Sequence, residues 1–150
     1  HCSACGQTMY VHRVEAEGCH VGYSTSHFGY LDPESGDFFA GDACNNNTLL
    51  MMDVSATIEE YLEALLALKE RQGDIRRFYL FHGPSLQDKS CIDDNIQCCR
   101  DILAGTDDRV PVDFLGRPGY LAKERTPGTF SRKDGRFGNV VYNPQQVRKG

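Results

Sequence analysis

The chain has 150 residues, 40% of them hydrophobic and 25% charged, with a net charge of −5. That is one domain's worth of sequence, or a domain with an extension, and it has enough apolar residues to bury a core. It excludes collagen-like, low-complexity and disordered classes, and no apolar run approaches the ~20 residues that span a bilayer.

The N-terminal segment is marked by cysteine. There are seven in all, an odd number that leaves at least one thiol without an intrachain partner. Cys2-Ser3-Ala4-Cys5-Gly6 is a C-x-x-C followed by glycine, the shape of a zinc knuckle, in which the glycine frees backbone N–H groups to turn around the thiolates. Cys2, Cys5 and Cys19 with His20 would make a structural zinc site, with His12 or Cys44 as alternative fourth ligands. The alternatives are disulfides in an oxidising compartment and free buried thiols. Asn46-Asn47-Thr48 is a glycosylation sequon, which favours the secreted alternative. The opening residue is His1 and no signal peptide is visible, as expected of a processed chain or an excised piece.

Residues 8–40 read as β-structure, with a turn at Asp32-Pro33-Glu34-Ser35-Gly36 where proline pre-sets φ and glycine takes the left-handed position. Leu49-Leu50-Met51-Met52 is a continuous apolar run of strand length, expected to be buried on both faces. Thr57 followed by Glu60 is a capping box that starts a helix. In that helix Ile58, Tyr61, Leu62, Leu65 and Leu66 recur at helical spacing, and Gly73 stands at the expected C′ position. Residues 75–81 form a second apolar strand ending at His82-Gly83-Pro84. A second helix follows, capped near Asp93 or Asp94 and ending at Gly105, with Ile92, Ile96, Cys99 and Leu103 facing inward. Residues 110–115 suit a third strand, which Pro111 confines to an edge or to the strand's start. The expected class is α+β with an α/β-like core. N-terminal hairpins precede a strand–helix–strand–helix–strand sheet with right-handed crossovers, followed by an irregular extension in which only residues 139–142 look like a strand.

Charge divides at the same place. Residues 117–150 hold eight basic residues against two acidic ones, a net of +6, which leaves −11 for residues 1–116. An acidic body, 1–116, with a basic extension, 117–150, suggests an acidic protein surface or a nucleic acid as partner for the extension, within a larger complex. The alternative is that the extension folds back onto its own acidic body. Tyr120, Phe130, Phe137 and Tyr142 are interleaved among its Arg and Lys residues, as suits stacking and ion pairing along a partner.

Two arrangements point instead to catalysis. Cys44 precedes an apolar segment and His82 ends a strand, the residue types of a thiol nucleophile and its base. Phe81-His82-Gly83-Pro84-Ser85, residues 112–120 (Val-Asp-Phe-Leu-Gly-Arg-Pro-Gly-Tyr) and residues 139–147 resemble three segments of the poly-ADP-ribosyltransferase-like family. That resemblance implies His82 and Tyr120 as nicotinamide-ribose contacts in a small toxin-like enzyme. Gly138 stands where the family's catalytic glutamate would be. The leading expectation is a non-catalytic interaction module, its body stapled by zinc or disulfides and its basic extension docking on a partner.

Overall fold

A computed structural model describes residues 22–24, 27–28, 30–32, 34–41, 44–52, 55–80 and 90–148. The elements in chain order are β1 (Gly22–Ser24), β2 (His27–Phe28), β3 (Tyr30–Leu31), β4 (Asp37–Gly41), β5 (Thr48–Leu50), α1 (Ile58–Glu70), β6 (Arg77–Leu80), α2 (Ser90–Ala104), β7 (Val110–Phe114), β8 (Arg117–Leu121) and β9 (Val140–Tyr142). The fold is α+β, with two α-helices and mixed sheets among the described residues. No helix there is long and apolar enough to cross a membrane.

Local chemistry explains where α1 begins. The Glu60 N–H donates to Thr57 Oγ1 at 3.2 Å, and the Thr57 hydroxyl donates to Glu60 Oε1 at 3.1 Å, so the cap residue and the third residue of the helix hold each other. Ile58, Tyr61, Leu65 and Leu68 are buried on one stripe. The helix ends at Arg71 and passes into a single 3₁₀ turn, Gln72–Asp74. Gly73 therefore sits inside that turn and not at a left-handed C′ position. α2 does end as glycine requires, with Gly105 at φ 74°. It begins at Ser90, earlier than Asp93 and Asp94 suggest, and both carboxylates lie within it.

The strands on either side of α1 belong to different sheets. β6 pairs parallel to β4, with β3 antiparallel on the far side of β4. Phe38 and Phe78 are register partners there, their rings 5.2 Å apart and tilted by 54°, and both are buried. β5 pairs parallel to β9 in a four-stranded sheet of order β5-β9-β8-β7. The expected single sheet is thus divided, because the C-terminal strand β9 takes the place beside β5. The three- and four-stranded sheets and both helices feed one core, including Phe38, Phe78, Leu50, Val140, Tyr142, Tyr61 and Ile92. Burying each such side chain contributes about 1.5–3 kcal/mol before entropy is counted. Leu50 faces that core, while Met51, Leu121 and Val141 form a second cluster. The apolar run at 49–52 is accordingly buried on two sides only at Leu50 and Met51; Leu49 is half-buried and Met52 is exposed.

Residues 117–121 make a strand that the sequence conceals behind Pro118 and Gly119. β9 pairs with β8 only at Tyr120 and Leu121, so Pro118 lies where β8 has β7 as its one neighbour. The ladder there does not need the N–H that proline lacks. Pro111 lies on β7, an edge strand, as its chemistry demands. β7 and β8 are joined by a two-residue turn, Leu115 (φ 51°) and Gly116 (φ 82°), closed by the pair Phe114–Arg117. Positive φ at both positions is a type I′ turn, which suits Asn-Gly and strains a leucine. Leu115 is 86% exposed, so packing returns nothing for that strain. Leu115→Asn is expected to raise stability by about 1 kcal/mol, or roughly 3 °C in Tm; thermal unfolding checks it, and an unchanged or lowered Tm would contradict the turn.

Candidate ligand-binding cleft

Between β8 and β9 the chain leaves the sheet and returns through a finger of residues 122–139. The finger is stitched internally by an antiparallel bridge between Arg125 and Arg132. The Thr126 N–H donates to Ser131 O at 2.8 Å and the Lys133 N–H to Glu124 O at 3.0 Å. Asn139 closes its base. Its side chain accepts from the Lys123 and Val140 N–H groups and donates to Lys123 O.

Asp94 holds the finger against the body. Its carboxylate, 3% exposed, accepts from the Phe137 N–H at 3.0 Å, the Gly138 N–H at 3.1 Å and Arg136 Nη1 at 3.2 Å. Gly138 is the contact point. A Cβ there would meet Asn95 Oδ1 at 2.5 Å, Asp94 Cβ at 2.8 Å and Cys91 O at 2.9 Å. Gly138 therefore presents backbone, pressed onto α2. Arg132 reinforces the bend: its side chain, 4% exposed, donates to Gly138 O at 2.6 Å and grips Asp134 with two donors at 2.9 and 2.5 Å.

The basic residues of this region are mostly neutralised at close range. Lys123 pairs with Asp101 at 2.7 Å, Arg136 with Asp94, and Arg148 with Glu59 at 3.7 Å, all of them carboxylates of the acidic body. Lys133 pairs with Glu124 at 2.6 Å within the finger itself. Arg125 is held differently: its guanidinium lies 4.9 Å from the Phe130 ring centroid and donates to Asn47 Oδ1 at 2.6 Å, while its buried Nε has no hydrogen-bond partner. Burial lowers its pKa from the ordinary arginine value.

Beside this stack lies a cleft of about 470 Å³, lined by Asn46, Phe130, Ser131, Arg132, Arg136 and Phe137. Phe130 is 59% exposed and the Arg136 side chain 67% exposed, so an apolar ring and a guanidinium rise together at its rim. The arrangement offers a stacking surface at Phe130 and the exposed Arg136 guanidinium, whose Nη1 is engaged by Asp94, to a carboxylate-bearing or other anionic group.

The other sequence-derived candidates fall elsewhere. Cys2, Cys5, Cys19, His20 and His82 lie outside the described residues. Among the described residues no three His, Cys, Asp or Glu side chains are grouped to hold a metal ion. Cys44 is fully buried at the turn before β5, its Sγ 3.8 Å from Cys91 Sγ and 3.5 Å from Asn95 Nδ2. Tyr120 is half-buried on β8, with its ring 5.9 Å from that of Tyr142 and beneath the Arg109 guanidinium at 4.7 Å. Cys44 thus faces α2 while Tyr120 packs among strand residues, and no described contact joins them. The aromatic–basic interleaving of the finger was readable in sequence, whereas Asn46 and the anchor Asp94 were not. A usable signal existed: Cys91, Asp94, Asn95, Cys98 and Ile102 recur at helical spacing, which puts two polar residues on a buried stripe.

No protein-family model matches the chain, and comparison with curated proteins finds no relative.

Asp94→Ala leaves the Phe137 and Gly138 N–H groups without acceptors, and a loss of about 3 kcal/mol is expected in denaturant unfolding; a change under about 0.5 kcal/mol would refute the anchoring role. The hydrogen bond from Arg132 holds Asp134 below the usual carboxylate pKa, with Arg136 adding to the effect. Its contribution is in place above the unfolded value of about 4 and is lost as pH falls through the lower folded value. With the Asp134 side chain 47% exposed the contribution is small. Asp134→Asn should flatten the acid limb of the stability–pH curve below about pH 4 and leave the neutral region parallel to wild type.

Proposed function

We propose that the protein is a non-catalytic interaction module that binds a carboxylate-bearing segment of a protein partner in the cleft of the β8–β9 finger. The observation that supports this reading is the joint exposure of Phe130 and Arg136 at the rim of a cleft backed by Arg132. Aromatic and arginine side chains dominate the binding energy of protein interfaces. Net charge argues for a short acidic segment over a long nucleic acid. The chain carries −5, so a long continuous polyanion would meet repulsion from the body. In the same proposal the body is stapled either by a zinc ion held by Cys2, Cys5, Cys19 and His20 or by disulfides among the cysteines.

Titration with a fluorescently labelled Glu/Tyr random copolymer, alongside a single-stranded oligodeoxythymidine, tests the proposal. Binding of the copolymer is expected to weaken about tenfold, equivalent to about 1.4 kcal/mol, in the Phe130→Ala/Arg136→Ala double variant. Asp94 keeps its two backbone donors in that variant, so the fold should persist. Equal affinity of wild type and variant, or tighter binding of the oligonucleotide than of the copolymer, would overturn the proposal.

A further inference from the structure

The described residues contain four cysteines, Cys44, Cys91, Cys98 and Cys99, all buried and unpaired. Two of them touch. Cys44 lies on the turn before β5, Cys91 lies in the first turn of α2, and their sulfurs are 3.8 Å apart with both residues fully buried. Cys98 Sγ faces Gly138 O at 3.9 Å and Arg132 Nη1 at 3.8 Å, and Cys99 lies electrostatically close to both Cys98 and Cys44. Cys99 adjoins Cys98 in sequence on the same helix.

We propose that Cys44 and Cys91 form an intramolecular disulfide as the chain folds, by exchange with a small-molecule or protein disulfide. The thiolate of one cysteine attacks the donor disulfide and releases one donor thiol. The second cysteine's thiolate then attacks the protein sulfur of the mixed disulfide and releases the other. Two electrons and two protons pass from the two protein thiols to the donor, which ends as two thiols, and one S–S bond replaces another.

Geometry makes the step short. Bringing the sulfurs from contact at 3.8 Å to a bond of about 2.05 Å needs under about 2 Å of relative travel. Geometry also sets its timing, because neither sulfur is reached by solvent in the folded chain. The contact with Cys44 and burial raise the Cys91 thiol well above its ordinary pKa, so the folded pair is a poor attacker. Exchange therefore precedes closure of the core, and the finished bond is shielded from reductants. The bond would close a loop between residues 47 apart in sequence that contains β5, α1 and β6. It would also brace the turn that carries Asn46, one wall of the cleft, directly against α2.

The test refolds the full chain from its reduced, unfolded form, once in a mixture of oxidised and reduced glutathione and once in dithiothreitol. Free thiols are then alkylated under denaturing conditions, and the peptides are mapped without reduction. Glutathione-folded protein is expected to yield one peptide pair joined through Cys44 and Cys91, two hydrogens lighter than its alkylation-free parts. It should melt on the order of 10 °C above the dithiothreitol-folded protein. Cys91→Ala should remove the Cys44–Cys91 peptide pair and reduce that difference, and the wild-type map decides the question even if the variant does not fold. Recovery of Cys44 and Cys91 both alkylated after glutathione folding, or of either joined to another cysteine, would overturn the proposal.

Discussion

A single carboxylate brings the C-terminal third of this chain back to its body. Asp94 emerges from α2 inside the protein and receives two consecutive backbone N–H groups and a guanidinium from residues 136–138. A buried carboxylate is tolerated only where donors replace its lost water, and here the donors come from a segment more than 40 positions away. Meeting that requirement fixes where the finger must return. Gly138 then lies on α2 with no room for a side chain, and Asn139 accepts and donates across the finger's base. β9 is delivered between β5 and β8, which completes the four-stranded sheet.

The adjacent residue on α2 extends the same logic inward. Asn95 is fully buried, with its amide nitrogen 3.1 Å from Tyr61 Oη, 3.3 Å from Thr48 Oγ1 and 3.4 Å from Asn45 O. Asn45 O in turn accepts from the Asn139 N–H. Asp94 and Asn95 thus join α1, α2, the turn before β5 and the start of β9 through one polar seam within an apolar core. Lys69 and Gln72 add a more exposed tie from the end of α1 to Asp93. The Asn95 amide nitrogen meets its acceptors only where the elements converge, while its buried Oδ1 has no hydrogen-bond partner among the described residues. The same return explains the charge pattern. Lys123, Arg136 and Arg148 meet acids of the body, and Phe130 and Arg136, both largely exposed, stand at the cleft's rim.

The sequence was most legible where structure is decided within a few residues. The Thr57 cap, the left-handed Gly105, the turn ending at Gly36 and the edge position demanded by Pro111 are all local matters of φ, hydrogen bonding and sterics. The pairing of β5 with β9 and of β4 with β6 was not legible, since parallel partners distant in sequence are selected by tertiary packing. Arg117–Leu121 was hidden for a related reason: Pro118 disqualifies a strand only if both its neighbours extend that far, and one does not. For the cleft, the interleaving of aromatic and basic residues could be read directly, but which cations remain exposed depends on ion pairs that only the fold creates. Asp94 was misleading for the opposite reason. A carboxylate near a helix start normally complements the helix dipole in solvent, whereas this one turns inward and serves another segment.

Hydrogen exchange of the native chain at neutral pH tests most directly whether Asp94 holds the finger to the body. The Phe137 and Gly138 amides, which donate to the carboxylate, should be protected to within about tenfold of the Ala122 amide, which donates to Val140 O. Exchange of both amides at rates near those of an unstructured peptide, with Ala122 still protected, would show that the finger is not anchored and would contradict the account.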